Sequence, residues 1–304
     1  MAAPQDTNTQ PSISVPIAYL MLALTVLLWA ISVVIARGVH DQIPLIGLTF
    51  WRWVVAILIL FPFVWRDVAA NLDLVRKHWG VYFAQGTFMV GGGALLFTSL
   101  NFTTAINAAL VNTSQPVLTA MLTWIIMKDR LKGIQYAGIA SAIVGVVFVI
   151  AKADINVLMN LDFNIGDFLV ILAILSYSMY AVNLRKLPTG LKTFPTLFVI
   201  LFFGMVSILP FYIGETILVG PVPFTLMTVI TTFVLALVVS IASIALWNNG
   251  NRVVGPHRAA IFVNLMPVYG SVLAISFLGE ELFFYHVIGA VFVCAGIFMV
   301  VRNH

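Results

Sequence analysis

The sequence predicts an all-α polytopic membrane protein with ten transmembrane helices, arranged as two inverted repeats of five. Three observations lead to this fold class. Hydrophobic residues make up 62% of the 304-residue chain and charged residues 9%, whereas a soluble domain carries about 25% charged residues. The apolar residues fall into ten stretches of membrane-spanning length. The chain also matches itself when it is shifted by 151 positions.

The ten apolar stretches have the length of about 20 residues that a helix needs to cross a bilayer. They lie at 17–36, 44–65, 78–99, 103–127, 133–151, 166–185, 194–213, 225–248, 256–278 and 283–301. Residues 1–16 are polar and lack the basic start of a signal peptide, so we expect a disordered cytoplasmic tail. The loops between the spans are too short to hold a separate catalytic domain.

The internal repeat divides the chain into a first unit, 17–151, and a second unit, 166–301. The shift superimposes Ala108-Ala109 on Ala259-Ala260, Pro116 on Pro267, Asp129 on Glu280, Gly138 on Gly289 and Gly145 on Gly296. Because each unit has five spans, an odd number, the second unit enters the membrane from the opposite side. Inverted repeats of this kind are typical of transporters that bind their substrate near the bilayer midplane.

The basic residues predict the orientation of the chain, because Lys and Arg accumulate in cytoplasmic loops. With the N-terminus inside, all but three of the 15 Lys and Arg residues lie in inner loops or the tail; the exceptions are Arg37, Arg52 and Lys152. We therefore expect both termini in the cytoplasm and the protein in a bacterial inner membrane. The basic residues form no patch, which excludes a nucleic-acid partner.

Cofactor chemistry finds no support in the sequence. The single cysteine, Cys294, lies within an apolar stretch, so a disulfide framework and a cysteine metal site are excluded. A membrane-embedded enzyme needs a buried acid, a histidine pair or a nucleophile, and none is visible in the spans. We expect no enzymatic activity, no cofactor and no metal. The expected partners are a small-molecule substrate and the lipid bilayer, with the monomer as the functional unit.

The second repeat carries a set of features with a known counterpart. An aromatic-Asn pair ends the eighth span and an Ala-rich entry opens the ninth; the others are Pro267, Leu278-Gly279-Glu280, Gly289 and Gly296. This stretch resembles the second repeat of the EamA-type carriers of the drug/metabolite transporter superfamily, and the chain as a whole is most similar to its bacterial aromatic amino acid exporters. The resemblance implies a basket of ten helices, a central cavity and export of amino acids.

Neutral polar residues near two prolines are the first candidates for substrate binding. They are Asn107, Asn112, Thr113 and Gln115 before Pro116, and Asn264 before Pro267. Proline removes a backbone donor and frees a carbonyl about one turn earlier. Polar side chains at such a point satisfy that carbonyl or face a wet cavity. The alternative is that they form hydrogen bonds between helices.

Aromatic residues within the spans are the second set of candidates. They are Trp29, Tyr82, Tyr177, Tyr180 and Trp247. Tyr and Trp combine a rigid apolar face with a polar tip, which suits an amino acid with an apolar side chain. The alternative is packing against lipid or the protein core. Trp29 and Tyr177 are favoured because the repeat aligns them at an offset of 148 positions.

Gating residues are expected at the two prolines, at the glycine run Gly91, Gly92 and Gly93, and at Arg258. The run is a candidate hinge. Arg258 binds a substrate carboxylate, closes the inner gate, or extends to the cytoplasmic surface, and Arg52 has the same alternatives on the outer side. Gly138, Gly145, Gly289 and Gly296 are expected to allow close helix packing instead.

The acidic residues bear on the energy source of transport. All eleven fall in loops, the tail or the ends of spans, whereas ion-coupled pumps usually hold an acid inside the membrane. The sequence therefore favours a facilitative uniporter of amino acids. The alternatives are a carrier of phosphorylated or nucleotide-linked metabolites, which calls for several Lys or Arg in the cavity, and a proton-coupled multidrug antiporter. A passive channel is disfavoured by the inverted repeat.

Overall fold

The computed structural model describes residues 14–128, 133–154, 164–254 and 262–301, which form helices without a β-strand among them. Within these described ranges eight helices are long and apolar enough to cross a membrane, and two shorter apolar helices follow. We number them spans 1 to 10: Val15–Val39, Leu45–Ala70, Trp79–Ser99, Ala105–Ile126, Gly133–Ile150, Ile165–Asn183, Thr193–Leu218, Leu226–Asn251, Val263–Leu278 and Phe284–Met299. The predicted all-α polytopic fold class is confirmed.

Three of these spans are not uniform α-helices. Span 4 consists of Ala105–Asn112 and Gln115–Met127, separated by a turn. Span 8 contains a π-helical segment, Leu235–Ala242, between two α-helical ones. Span 9 begins its described part with the 3-10 turn Val263–Leu265. Departures of this kind often occur at functional sites in otherwise regular helices.

Contacts between the spans follow the symmetry of the repeat. Exchange of the two halves relates span 1 to span 6, span 3 to span 8, and span 4 to span 9. Span 1 packs against spans 8 and 9, and correspondingly span 6 packs against spans 3 and 4. Span 2 contacts span 7, and span 5 contacts span 10. These are the helix pairs that a two-fold axis between inverted repeats requires.

Spans 5 and 10 cross where glycines bring their backbones together. A Cβ on Gly145 would lie 2.7 Å from the Gly289 carbonyl oxygen, and one on Gly296 would lie 2.5 Å from that of Gly138. Each contact maps onto the other when the halves are exchanged, so the interface is isologous. The predicted packing role of these four glycines is confirmed.

The bundle has two faces, which we name by residues at its ends. Spans 1, 3, 7 and 9 end, and spans 2, 4, 8 and 10 begin, at the Glu280 face, where Glu280 contacts Arg37. The opposite, Lys192 face carries the short helices Leu72–Lys77 and Leu184–Lys186, and there Lys192 lies 3.3 Å from Asp67. The sequence predicts that the Lys192 face is cytoplasmic.

Candidate functional site

Two predicted aromatics meet at the seam between the two halves. The rings of Trp29, in span 1, and Trp247, in span 8, have centroids 5.1 Å apart. Trp29 Nε1 donates a hydrogen bond of 3.2 Å to Ser243 Oγ, one helical turn before Trp247. Tyr177 of span 6 packs against the same hydrophobic core as both tryptophans. Spans from both repeats therefore supply one aromatic surface.

Tyr82 and Tyr180 belong to a second cluster, with Val199 and Ile200, on the Lys192 side of span 3. Tyr82 is fully buried, and its Oη has no hydrogen-bond partner among the described residues. The structure therefore separates these two tyrosines from the pair formed by Trp29 and Trp247.

Gln85 lies one turn beyond Tyr82 and was missed in the sequence. Its side chain is 0% exposed, and neither Oε1 nor Nε2 is hydrogen bonded within the described chain. The available signal was an amide in an otherwise apolar span, since buried amides normally find partners. Tyr82 and Gln85 thus each have unused hydrogen-bonding capacity with respect to the described residues.

The break in span 4 falls at Thr113 and Ser114, just before Pro116. Thr113 Oγ1 donates to the Ala109 carbonyl at 2.8 Å, and Ser114 Oγ donates to that of Val111 at 2.7 Å. The same two carbonyls also accept the backbone N–H groups of Thr113 and Ser114, so each hydroxyl adds a second hydrogen bond at the end of the first segment. The hydroxyl of Thr113 is therefore occupied by the backbone.

Two asparagines at the irregular turns of spans 4 and 9 have side-chain oxygens that form no hydrogen bond with the described residues. Asn112 ends the first segment of span 4, and Asn264 lies in the 3-10 turn before Pro267. In each, Oδ1 is buried without a partner among the described residues. Gln115, partly buried, starts the second segment of span 4. The oxygens of Asn112 and Asn264 are suited to accept hydrogen bonds from an ammonium group.

The predicted gating residues have different outcomes. Arg258 lies outside the described residues, as does Asp129. Span 3 continues as one α-helix through Gly91, Gly92 and Gly93. A Cβ on Gly92 would lie 3.2 Å from ring carbons of Tyr177, whereas one on Gly91 would have no neighbour within 4 Å among the described residues. The hinge stays a prediction, but close packing of Tyr177 explains the glycine at position 92.

Arg52 is buried within the membrane-spanning bundle and does not extend to the surface. The residue is 5% exposed, so the surface-reaching alternative is wrong for this arginine. Its Cζ lies 4.6 Å from the ring centroids of both Trp53 and Phe97. Nε has no hydrogen-bond partner in the part of the chain that the structure describes. The sequence placed Arg52 near the end of a span but did not reveal its burial.

Two glutamates at the Glu280 face cap the starts of neighbouring helices. Glu280 accepts hydrogen bonds from the backbone N–H groups of Ala105 and Ile106, at 2.8 and 3.0 Å. Glu215 accepts them from Ile46 and Gly47, at 3.0 and 2.6 Å. A carboxylate at a helix N-terminus accepts hydrogen bonds from free backbone donors and interacts favourably with the positive end of the helix dipole. These carboxylates therefore hold spans 7 and 9 to spans 2 and 4.

A buried acid at the same face corrects the expectation from the sequence. Asp167, in the first turn of span 6, is only 1% exposed. Thr103 Oγ1 donates to Asp167 Oδ1 at 2.6 Å, while Oδ2 has no partner among the described residues. Its position at the end of a span suggested contact with water. Tertiary packing of spans 4 and 6 buries it instead.

Asn107 belongs to the network around Asp167. Its Nδ2 donates to Thr103 Oγ1 at 3.4 Å, and its Oδ1 lies 2.8 Å from His286 Nε2. The side chain thus bonds across spans 4 and 10 at the Glu280 face. The structure places Asn107 in a group separate from the pair Trp29 and Trp247. This arrangement corresponds to the helix-to-helix alternative for such residues.

Comparison with known proteins shows which family this chain resembles. The model of the EamA-like transporter family matches residues 16–151 and 164–302. The chain is 29% identical, over 91% of its length and 92% of the relative's, to a probable amino-acid metabolite efflux pump of Escherichia coli. It is 26% identical to the uncharacterized transporter YyaM of Bacillus subtilis, with 81% of each chain covered. A solved crystal structure shares the fold with a TM-score of 0.56 and 17% identity, covering 93% of this chain and 95% of its own.

Proposed function

The chain belongs to the EamA-like transporter family, and from that premise we propose that it exports amino acids with apolar, chiefly aromatic, side chains. The observation that carries this proposal is the aromatic surface of Trp29 and Trp247 at the seam between the repeats. Two relatives are described as probable amino-acid metabolite efflux pumps. An aromatic side chain stacks on such a surface at centroid distances of about 4.5–7 Å.

The symmetry of the contacts supports transport by alternating access. Span 1 meets spans 8 and 9 as span 6 meets spans 3 and 4, so each half has the same set of packing surfaces. Exchange of the two arrangements between the halves opens the substrate site to the other side of the membrane. In this proposal spans 4 and 9 change conformation at the turn before Pro116 and at the 3-10 turn before Pro267.

Neutral acceptors serve the ammonium group of the substrate. Asn112 and Asn264 each present a buried side-chain oxygen without a partner among the described residues. A buried acceptor that forms no hydrogen bond costs about 1–3 kcal/mol, so a donor from the substrate relieves that cost in the bound state. Binding through amides is weaker than binding through charges. We therefore propose broad specificity among apolar amino acids.

We place the protein in the bacterial inner membrane as a functional monomer, with the Lys192 face in the cytoplasm and the Glu280 face outside. The excess of Lys and Arg in the loops of the Lys192 face supports this orientation. Export then proceeds from the Lys192 face to the Glu280 face.

A competition screen tests the proposed substrate class. The purified protein is reconstituted into liposomes, and uptake of labelled L-phenylalanine is measured with each of the twenty amino acids as competitor. We expect phenylalanine, tyrosine and tryptophan to compete most strongly and charged amino acids least. If none of the twenty competes, the amino acid assignment is wrong, although membership of the family is unaffected.

Facilitative uniport is the proposed energetics, and proton-coupled antiport is the second candidate. The buried carboxyl group of Asp167, with one free oxygen, favours the second. It lies at the Glu280 face, in a network separate from the pair Trp29 and Trp247, which favours the first. Uniport predicts that an imposed pH gradient drives no accumulation of substrate in liposomes. Accumulation that is lost in Asp167→Asn would instead establish proton coupling.

A further inference from the structure

We propose that Arg52 binds the carboxylate of the transported substrate inside the membrane, an inference that rests on the proposed function. Trp29 and Trp247 supply an aromatic surface, and Asn112 and Asn264 supply acceptors for an ammonium group. An amino acid also needs donors for its carboxylate. Arg52 is a buried cation on span 2 without a described ion-pair partner, and its surroundings fit that role.

Two aromatic rings hold the guanidinium group in position. Its Cζ lies 4.6 Å from the ring centroid of Trp53 and 4.6 Å from that of Phe97, and both rings are buried. Contacts with ring faces stabilise the cation without using its N–H groups. The planar group is therefore fixed while its donors remain available along the edge.

The donors of Arg52 lie beside a point of span 3 that has no side chain. A Cβ on Gly93 would lie 3.3 Å from Arg52 Nη2 and 3.3 Å from Tyr177 Oη. The absence of a side chain at Gly93 thus lets Arg52 Nη2 and Tyr177 Oη approach the same point of span 3, where a Cβ would crowd both groups. Both groups donate hydrogen bonds to a carboxylate, and the bond from arginine is strengthened by charge.

Three carboxylates at the Glu280 face have other partners. Glu215 and Glu280 accept backbone hydrogen bonds at the Glu280 face, and Asp167 bonds Thr103. Among the described residues none forms an ion pair with Arg52. A buried charge without a partner is costly, so a substrate anion stabilises the bound state. One guanidinium suits a carboxylate, whereas phosphate carriers call for several basic groups.

The position of Arg52 agrees with a substrate site in the interior of the bundle. It lies seven residues from the start of span 2, which corresponds to about 10 Å along the helix. Tyr177, whose hydroxyl borders this site, packs against the same hydrophobic core as Trp29 and Trp247. The site at Arg52 therefore adjoins a core that the aromatic pair also contacts.

Three ligands separate the roles of the two charged groups of the substrate. Binding of L-phenylalanine, 3-phenylpropionate (carboxylate only) and phenethylamine (ammonium only) is measured on the full chain in lipid nanodiscs. Arg52→Gln is expected to weaken binding of the two carboxylates by about 10- to 100-fold and of phenethylamine by less than about twofold. Tyr177→Phe is expected to produce a smaller loss, again only for the carboxylates.

Arg66→Gln is the matched control. Arg66 also lies over a tryptophan ring, with its Cζ 5.4 Å from the ring centroid of Trp65. It differs from Arg52 in position, because it lies near the end of span 2 at the Lys192 face. This variant should leave all three affinities unchanged. Arg52→Lys, which keeps the charge, should bind the carboxylates more tightly than Arg52→Gln, and it remains informative together with Tyr177→Phe if the glutamine variant does not fold.

The inference is overturned if Arg52→Gln weakens all three ligands equally, if it leaves L-phenylalanine unaffected, or if 3-phenylpropionate does not bind the unmodified chain. A different outcome would show that the proposed function is wrong while the inference about Arg52 is correct. If 3-phenylpropionate binds in an Arg52-dependent manner and no amino acid binds, the carboxylate site is correct and the amino acid assignment is wrong.

Discussion

The most informative single residues of this chain are those whose polar side chains are buried without a complete set of hydrogen-bond partners. Arg52, Gln85 and Asp167 are buried, and each has at least one atom without a hydrogen bond among the described residues. Each such atom costs about 1–3 kcal/mol if it stays unpaired. In a transporter this cost has a function, because substrate or a second conformation can supply the missing partner.

Trp29 is the residue whose removal should most directly affect aromatic substrates. Trp29→Ala removes the ring paired with Trp247 and the hydrogen bond to Ser243. Aromatic pairs contribute about 0.5–1.5 kcal/mol beyond their burial, so loss of one ring contact with the substrate should lower the apparent affinity for L-phenylalanine by about 2- to 10-fold. Transport assays in liposomes measure the change.

The control for Trp29 is Trp79→Ala, because that side chain is 59% exposed at the start of span 3. Transport by this variant should remain within about twofold of the unmodified chain. An equal loss in both variants would show that the aromatic pair at the seam has no special role.

At the scale of elements, spans 5 and 10 depend on the absence of side chains at their crossing. Gly145→Ala places a Cβ 2.7 Å from the Gly289 carbonyl oxygen, and the helices must move apart. We expect destabilisation by about 1–3 kcal/mol, as for other overpacked interiors, measured as a lower melting temperature in detergent micelles. Gly80→Ala, whose Cβ meets no atom of the described residues within 4 Å, should instead be neutral or stabilising, since Ala favours helices. A stable Gly145→Ala variant would contradict the predicted packing.

Span 3 allows a direct test of the predicted hinge. Gly91→Ala removes backbone freedom without a steric conflict, because its Cβ would have no neighbour within 4 Å in the part of the chain that the structure describes. If the glycine run bends during transport, the transport rate should fall several-fold while the equilibrium affinity for substrate is retained. Gly92→Leu is less specific, because position 92 also packs against Tyr177. An unchanged transport rate in Gly91→Ala would exclude a hinge at this position.

At the scale of the whole molecule, the two faces differ in the hydrogen bonds and ion pairs that join their helix ends. Glu215 and Glu280 join helix ends across the Glu280 face, and Asp167 and His286 add a buried network there. At the Lys192 face the described ion pair between Lys192 and Asp67 is exposed, and exposed pairs contribute little stability. The described contacts thus fasten the Glu280 face more firmly.

The orientation of these faces can be measured with single cysteines in a Cys294→Ala background. Asp41 and Lys192 mark opposite faces, and their side chains are 86% and 82% exposed. In intact cells a membrane-impermeant maleimide should label Asp41→Cys, whereas Lys192→Cys should react only after the membrane is permeabilised. The reverse pattern would show that the orientation inferred from the basic residues is wrong.

Much of the architecture could be read from the sequence because its causes are local or periodic. Ten apolar stretches fix the spans, since only a helix satisfies its own backbone within lipid. The repeat at 151 positions predicts which helices exchange, and the four glycines on spans 5 and 10 mark their crossing. The pairing of Trp29 with Trp247 was only partly accessible, because the repeat aligned Trp29 with Tyr177 and not with its spatial partner.

Only the tertiary structure showed which polar residues near the ends of spans are buried. Arg52 and Asp167 both stand near the ends of spans, where sequence suggests contact with water, and both are buried by helices that are distant in sequence. The sequence by itself therefore determined the membrane fold and the duplication, because hydrophobicity and repetition are properties of the chain. Which polar groups lose their water is a property of packing, and only the assembled bundle established it.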